Sequence, residues 1–167
     1  MTGPLPASSN TSAVNSIEET YKTYFDTVYR ISFSYLKNPA DAEDVAADVF
    51  VKLMRKGVVF QNAEHEKAWL IRTTINACKD MLKHWWRGRA DVDACPKAHS
   101  TAPFPVDETL QAIMELPPRY KDVLYLYYYE GYSTQEVAEI LKKPHSTVRG
   151  HLQEARKCLK GVLQNEG

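Results

Sequence analysis

The feature that most constrains the fold of this chain is a run of apolar side chains at helical spacing, which lies between capping residues. The segment NPADAEDVAADVFVKLMRK opens with Asn38 and Pro39, a pair typical of a helix start, and Gly57 then marks its end. An i, i+3, i+4, i+7 pattern between them predicts an amphipathic helix. Its apolar members are Ala42, Val45, Ala46, Val49, Phe50, Leu53 and Met54. Strand signals are weak throughout, so the predicted fold class is all-α.

Changes in composition predict two small helical modules joined by a flexible linker. Residues 1–15 are small, polar and rich in Pro, Ser and Thr, which predicts a disordered tail. Residues 16–88 hold three helical segments, of which the first runs from Ile17 to Leu36 and the last from Lys67 to about Gly88. Residues 89–106, RADVDACPKAHSTAPFPV, contain three prolines and no periodicity, and predict a linker. Residues 107–167 contain three or four further helices.

Composition argues against a membrane or secreted protein. No apolar run approaches the roughly 18 residues needed to span a bilayer. The first residues lack the basic and apolar regions of a secretory signal. Cys78, Cys95 and Cys158 are too few and too scattered for a disulfide framework, so a reducing cytoplasm is the expected location.

Charge is distributed in blocks, although the formal net charge is zero. Residues 16–50 carry seven acids and three bases, and residues 72–89 carry five bases and one acid. The order then repeats, with seven acids and two bases in residues 107–141 and six bases and one acid in residues 142–160. An acidic segment followed by a basic segment occurs twice, which indicates two modules. Each module would have a basic face for an anionic partner and a second face for a different partner.

The second module has the pattern of a helix-turn-helix. Ser133 and Glu136 form a capping box before a short helix, and Lys142, Lys143 and Pro144 form the turn that follows. The final helix has an apolar stripe of Val148, Leu152, Ala155, Leu159 and Val162. At about 100° per residue, the opposite face consists of Ser146, Gly150, Gln153 and Lys157. A face of this kind can meet base edges and phosphates together.

A polar ridge is predicted on the last helix of the first module. Asn76, Lys79, Asp80 and Lys83 fall at i, i+3, i+4 and i+7, with Arg72 one turn earlier. An amide can satisfy a base edge with a donor and an acceptor, and lysines can hold phosphates. Asp80 accepts from a base amino group or simply orients Lys83; both readings stay open.

Three segments of the chain resemble a known family. The stretch LPPRYKDVLYLYYYEGYSTQEVAEILKKPHSTVRGHLQEARKCLK resembles the C-terminal domain of bacterial sigma factors. The stretches NPADAEDVAADVFVKL and AWLIRTTINACKDML are similar to the second conserved domain of the same proteins. With both modules in order and only a linker between them, the chain resembles the extracytoplasmic-function (ECF) sigma factors of the sigma-70 family.

This resemblance implies a function and a role for each module. The expected function is to bind core RNA polymerase and direct promoter-specific initiation through −35 and −10 elements, with opening of the −10 region. The acidic helix that would dock on the polymerase clamp carries Asp41, Glu43, Asp44 and Asp48. The expected −10 contacts are Phe60, Arg72, Asn76, Lys79, Asp80 and Lys83. The expected −35 contacts are Arg119, Lys121, Lys142, Lys143, Ser146, Thr147, Arg149, Gly150, His151, Gln153, Glu154 and Lys157.

The resemblance also implies partners. Core RNA polymerase, through its clamp coiled coil and flap, and promoter DNA are expected, and family members are usually held inactive by an anti-sigma factor. No cofactor, metal, catalytic residue or direct membrane contact is expected. Ser146, His151 and Glu154 depart from residues that are frequent in the family at these positions, so the promoter sequence does not carry over from relatives.

Some alternatives stay open at this point. A helix-turn-helix regulator that does not bind polymerase explains the second module but leaves the acidic helix without a role. A metal enzyme using Cys78, His84, Cys95 and His99 lacks any recognised ligand spacing. Phe60 stacks on an extruded base, as the resemblance implies, or packs in the core. Trp85 and Trp86 cap the helix or touch DNA.

Overall fold

The computed structural model describes residues 5–57, 60–88 and 104–165, with side chains described for residues 17–57, 60–85 and 104–161. Its first three helices are α1 (Leu5–Leu36), α2 (Pro39–Lys56) and α3 (Ala63–Gly88). We call these the N-terminal module. Four more helices form the C-terminal module, namely α4 (Glu108–Met114), α5 (Pro118–Leu124), α6 (Thr134–Leu141) and α7 (His145–Asn165). No strand occurs in the described ranges, which confirms the all-α prediction.

Capping groups define the ends of α2. The Asn38 side chain accepts a hydrogen bond from the backbone N–H of Asp41, and Pro39 occupies the first turn. Gly57 ends the helix at a φ of 55°, in the left-handed region that favours glycine. The predicted stripe is buried from Ala42 to Leu53, whereas Met54 is 60% exposed. Met54, the last member of the predicted stripe, therefore lies outside the buried core, within one turn of the end of α2.

Two helices begin earlier than their sequence patterns predicted. Helix α1 starts at Leu5 rather than Ile17, so part of the segment predicted as disordered is helical. Extending an existing helix avoids the free-energy cost of nucleation. A polar segment can therefore be helical even though its composition does not predict a helix. Helix α3 starts at Ala63 rather than Lys67, because the Asn62 side chain accepts a hydrogen bond from the backbone N–H of His65 at 2.8 Å.

Helix α1 packs against α2 and α3 to form the core of the N-terminal module. Val28, Ile31, Phe33 and Leu36 of α1 are fully buried there. Three buried hydroxyl groups of this core donate to backbone carbonyls of the preceding helical turn, as polar groups removed from water must. They belong to Ser32, Ser34 and Thr74.

Helices α5 and α6 both pack on α7 in the C-terminal module. Helix α5 continues into a π-helical turn from Tyr125 to Tyr129, which the sequence did not predict. The rings of Tyr125 and Tyr129 stack at 5.6 Å, and the Tyr129 hydroxyl donates to Asp107 at 2.6 Å. The π-helical turn therefore ties the end of α5 to the residue that caps α4.

The two modules touch each other. Helix α3 contacts α6, and α1 contacts α4. Phe104, where the described chain resumes before α4, packs edge-on against Phe33 at 5.4 Å and Tyr29 at 6.2 Å, with Arg30 over its ring at 5.4 Å. The chain that enters the C-terminal module is thereby anchored on α1.

Candidate nucleic-acid interface

Helices α6 and α7 form a helix-turn-helix whose turn is set by local hydrogen bonds. Both halves of the capping box predicted at Ser133 and Glu136 are present at the start of α6. Lys142 ends α6 at a φ of 54°, and its N–H donates to carbonyls of the last turn. The side chains of Thr134 and His145 lie 2.8 Å apart, which joins the starts of the two helices.

The two faces of α7 differ as its sequence pattern predicted. Val148, Leu152, Ala155 and Leu159 are buried against the rest of the module, while the side chain of Val162 lies outside the described residues. Every member of the predicted outer face is exposed, namely Ser146, Gly150, Gln153 and Lys157. The helix therefore presents a continuous polar surface, whose hydrogen-bond donors and positive charge are suited to a DNA groove.

The other residues predicted to contact the −35 element differ in exposure. Those exposed beside the outer face are Arg119, Lys142, Arg149 and Glu154. Those partly buried are Lys143, Thr147 and His151. Lys121 is buried between the two modules, where its Nζ donates to the backbone carbonyl of Ser34 at 2.8 Å. In this arrangement Lys121 does not lie on the surface that α7 presents.

His151 is partly buried, unlike Gly150 beside it on the outer face of α7. Its ring lies edge-on to Tyr120 at 6.0 Å, and its Nδ1 is buried without a hydrogen-bond partner among the described residues. Burial, followed by the positive charge of Lys143, lowers the pKa of His151. The imidazole is therefore neutral at neutral pH and adds no positive charge to the face.

A cluster that the sequence patterns did not single out holds Arg156 in place. The guanidinium lies 5.2 Å from the ring centre of Tyr127 and 5.9 Å from that of Tyr128. Its Nε donates to the Tyr128 hydroxyl at 3.1 Å. Two aromatic contacts and a hydrogen bond fix this cation at the edge of α7. The YYY run in the sequence was the available signal, but only the fold brings it to α7.

The predicted ridge on α3 is divided between solvent and the other module. Asn76, Asp80 and Lys83 are exposed. Arg72 and Lys79 are half-buried, and the Nζ of Lys79 lies 2.9 Å from a carboxylate oxygen of Asp122. The ridge thus exists as one side of a helix, but part of it faces the C-terminal module rather than solvent.

Phe60 lies just before α3 and is half-buried. Its ring packs edge-on against His65 at 5.4 Å and Trp69 at 5.9 Å. One part of the ring therefore belongs to the packing of the N-terminal module, and another part is open to solvent. Trp85 at the other end of α3 is also half-buried, and the side chain of Trp86 lies outside the described residues.

One of the acidic residues of α2, Glu43, lines an apolar groove between α1 and α2. Glu43, Asp44 and Asp48 are exposed, and Asp41 is half-buried, with its pKa raised by burial and by the neighbouring Asp44 carboxylate. The groove between α1 and α2 has a volume of about 850 Å³. Aromatic and apolar side chains line most of it, among them Tyr21, Phe25, Tyr29, Phe50, Val51, Met54 and Phe104. Charge beside an apolar groove is typical of a protein-binding surface.

The metal-site alternative finds no support in the described residues. No group of three or more potential ligands from His, Cys, Asp and Glu comes together there. Cys78 is fully buried, and burial raises the pKa of its thiol to about 12. This thiol is therefore protonated at neutral pH and is a poor nucleophile. Cys95 and His99 lie outside the described residues.

Fold and surface together define a class: a two-module helical protein with a helix-turn-helix in one module and an exposed acidic helix in the other. Family sequence models assign it more closely. The model described as Sigma-70 region 2 matches residues 20–88, and the model described as Sigma-70, region 4 matches residues 107–159. The chain belongs to the sigma-70 family, among its ECF members, and is a sigma factor for promoter-specific transcription initiation.

Curated relatives agree with this assignment. The ECF RNA polymerase sigma factor SigE of Mycolicibacterium smegmatis is 28% identical over 97% of this chain and 67% of its own length. The RNA polymerase sigma factor SigV of Bacillus subtilis is 28% identical over 83% of this chain and 85% of its own length. These alignments span both modules.

Solved structures share the fold. The sigma factor RpoE of Bartonella quintana, in complex with the anti-sigma factor NepR, superposes with a TM-score of 0.74 at 19% identity, over 89% of this chain and 97% of its own. CnrH, in complex with the cytosolic domain of CnrY, superposes with a TM-score of 0.67 at 18% identity, over 95% of this chain and 96% of its own.

Within the described residues, no helix is both long enough and apolar enough to cross a membrane.

Proposed function

We propose that the outer face of α7 reads the −35 element and the ridge of α3 reads the −10 element of the same promoter. The observation that carries the proposal is the two-sidedness of α7, where a fully buried stripe lies opposite an uninterrupted exposed polar face. Residues on such a face reach base edges, and flanking cations such as Arg149 reach phosphates. Arg156, held by two tyrosines, adds a phosphate contact at the edge.

The ridge of α3 acts on the strand that separates at the −10 element. The Asn76 amide is suited to a base edge and the Lys83 ammonium to the backbone, and both side chains are exposed. Phe60 lies near the start of the same helix with part of its ring open, where an extruded base can stack. We assign Asp80 to the same surface, as an acceptor or as a partner of Lys83.

Core RNA polymerase binds the acidic side of α2. Glu43, Asp44 and Asp48 supply exposed negative charge for a basic partner. The neighbouring apolar groove supplies surface that becomes desolvated on binding, which is where most binding energy resides in protein interfaces. We infer that the clamp coiled coil occupies this region, and that the polymerase flap receives the C-terminal module.

We infer that an anti-sigma factor holds the protein inactive in the cytoplasm. Two solved structures with the same fold support this inference, since both are complexes: RpoE with the anti-sigma factor NepR, and CnrH with the cytosolic domain of CnrY. The protein has no chemistry of its own in this proposal, since it directs the catalytic activity of the polymerase. No cofactor, metal or direct membrane contact is required.

A run-off transcription assay tests the proposal. Purified protein is added to core RNA polymerase on DNA fragments whose promoters have been mapped from transcript starts after overproduction. We expect transcripts from one shared upstream motif, and none from core polymerase alone. A regulator that does not bind polymerase would bind the same duplex by itself and yield no transcript with core polymerase, which would refute the proposal.

A further inference from the structure

The outer face of α7 carries one amide side chain. Of its four members, Gly150 has no side chain, Ser146 has a short hydroxyl group and Lys157 has an ammonium group. Gln153 is exposed, and its amide makes no hydrogen bond to any of the described residues. Because an amide offers both a donor and an acceptor, Gln153 is the residue of this face that can pair with two different polar atoms of one base.

The ammonium group of Lys157 already has a partner on α7. Its Nζ lies 3.6 Å from a carboxylate oxygen of Glu154, one turn earlier on the helix. Both side chains are more than half exposed, so the pair is weak. The carboxylate nevertheless places negative charge beside the ammonium, which disfavours an approach of Lys157 to the two acceptors of a guanine. Gln153 has no such competing partner among the described residues.

The two flanks of the outer face differ in charge. At about 100° per residue, Arg149, Arg156 and Lys160 fall on one flank, and all three are exposed. The opposite flank carries the carboxylate of Glu154. Phosphate contacts fix the orientation of a helix on a duplex, whereas base contacts specify the sequence. With the cations on one flank facing phosphates, Gln153 near the centre of the face is directed at base edges.

Gly150 lies one turn before Gln153 on the same face. A Cβ added at Gly150 would meet nothing within 4 Å, so the space in front of this turn is open. The major groove is wide enough to admit an α-helix, and a turn without a side chain allows the helix to lie closer to the floor of the groove. The Gln153 side chain then extends to the base edges.

Adenine is the base whose polar atoms match an amide. In the major groove it presents an acceptor at N7 beside a donor at N6, whereas guanine presents two acceptors. Cytosine presents one donor, and thymine presents one acceptor beside its methyl group. Two parallel hydrogen bonds to one base are therefore available to Gln153 only at adenine.

We propose that Gln153 is a specificity-determining residue of −35 recognition and that it selects adenine at one base pair of the element. Its Nε2 donates to N7 of the adenine, and its Oε1 accepts from the N6 amino group. The assignment of Gln153 rests on the proposed function of α7 as the −35-binding helix.

Run-off transcription by the holoenzyme tests the role of Gln153. The templates carry the mapped promoter and every single base-pair substitution of its −35 element, and initiation is measured at limiting holoenzyme. With the wild type we expect one A·T pair at which substitution lowers initiation roughly five- to 150-fold, the discrimination expected of a bidentate pair. Gln153→Ala should lose the preference at this pair and keep the preferences at the other positions.

A matched control removes a glutamine elsewhere. Gln111 is an exposed glutamine of α4, so Gln111→Ala should keep every preference of the wild type. Neither substitution changes the charge of the protein, so the phosphate contacts are retained in both variants. A Gln153→Ala variant that initiates less from all templates alike, with every preference kept, would overturn the assignment, because that result indicates a structural role.

A modified base tests the atoms of the contact. A template with 7-deazaadenine at the identified position lacks the N7 acceptor. This template should lower initiation by the wild type and have little effect on Gln153→Ala, which no longer donates to N7. A decrease by the same factor with both proteins would contradict a hydrogen bond from Gln153 to N7.

Failure of the role of Gln153 and failure of the proposed function give different results. No transcript from any template with the wild type would refute the proposed function, and the role of Gln153 with it. A wild type that initiates with clear −35 preferences, together with a Gln153→Ala variant that keeps all of them, would overturn the role of Gln153 alone. Loss of preference at a pair other than A·T would overturn the selection of adenine.

Discussion

At Gly150, the requirements of folding can be distinguished from those of DNA binding. A Cβ added at this position of α7 would meet nothing within 4 Å, and the residue lies on the exposed face. Packing within the protein therefore does not require glycine here. Glycine nevertheless lowers helix stability by about 1 kcal/mol relative to alanine. If the backbone of α7 approaches DNA closely at this position, the absence of a side chain there compensates for the lower helix stability.

Gly150→Ala should raise the free energy of unfolding by about 0.5–1 kcal/mol and weaken binding to −35 duplex DNA, because the methyl group separates α7 from the groove. Urea denaturation and fluorescence anisotropy measure the two effects. Gly161→Ala is the matched control, since Gly161 is another exposed glycine of α7 with open space around it. It should stabilise the helix without weakening DNA binding. Equal DNA affinity of the two variants would contradict a close approach at Gly150.

Arg149 and Lys157 are expected to hold phosphates beside that face. Replacing both with alanine should reduce the slope of log affinity against log salt by roughly 2, about one for each phosphate that the protein no longer neutralises. Binding titrations on −35 duplex DNA at several salt concentrations provide the slope. Lys52→Ala/Arg55→Ala on α2 removes the same charge at exposed positions far from α7 and should leave the slope unchanged. A slope unaltered by the Arg149 and Lys157 changes would show that these side chains do not face phosphate.

Among the helices, α3 gives the most specific functional prediction. Asn76→Ala/Lys83→Ala should abolish initiation while core polymerase binding is retained, because the acidic surface that we propose for polymerase binding lies on α2 rather than α3. Run-off transcription and co-elution with core polymerase measure the two activities. Lys56→Ala/Gln111→Ala likewise removes one lysine and one amide side chain, at exposed sites outside α3, and should initiate normally. Loss of polymerase binding by the α3 variant would refute the division of labour between the two helices.

Helix α6 depends on its capping box more than longer helices depend on their caps, since it has only eight residues. Ser133→Ala removes the acceptor for the Glu136 backbone N–H and should lower the free energy of unfolding by about 1 kcal/mol. Urea denaturation measures the decrease. Gln135→Ala, an exposed change in the first turn of α6, should leave stability nearly unchanged. A Ser133→Ala variant as stable as this control would mean that the cap does not support the helix-turn-helix.

Local sequence patterns predicted the helices correctly. They did not predict features that depend on contacts between residues far apart in the sequence. The caps of α2 and α6 and the stripe of α7 involve residues within a few positions of one another, so the sequence alone predicted them. The early start of α3 also has a local signal in the sequence, the Asn62 cap. The π-helical turn at Tyr125–Tyr129 has none, because its tyrosines are held by Asp107 and Arg156.

In the whole molecule, Phe104 connects the entry of the C-terminal module to α1. Phe104→Ala removes two edge-on aromatic contacts and the Arg30 contact, and should lower the free energy of unfolding by about 1–2 kcal/mol. Urea denaturation of the full chain measures the change. Pro105→Ala, at the exposed neighbouring position, is the control and should have a much smaller effect. Equal stability of the two variants would show that Phe104 does not anchor the chain on α1.

By itself, the sequence determined the helical class, the helix-turn-helix, the outer face of α7 and the ridge of α3, because each depends on spacing within one helix or turn. Only the tertiary structure decided that Lys79 pairs with Asp122, 43 residues away, and that Lys121 reaches the carbonyl of Ser34, 87 residues away. The charges involved are visible in the sequence as an acidic block and a basic block. Which carboxylate meets which lysine depends on the faces that packing brings together and removes from water, and helical spacing does not contain that information.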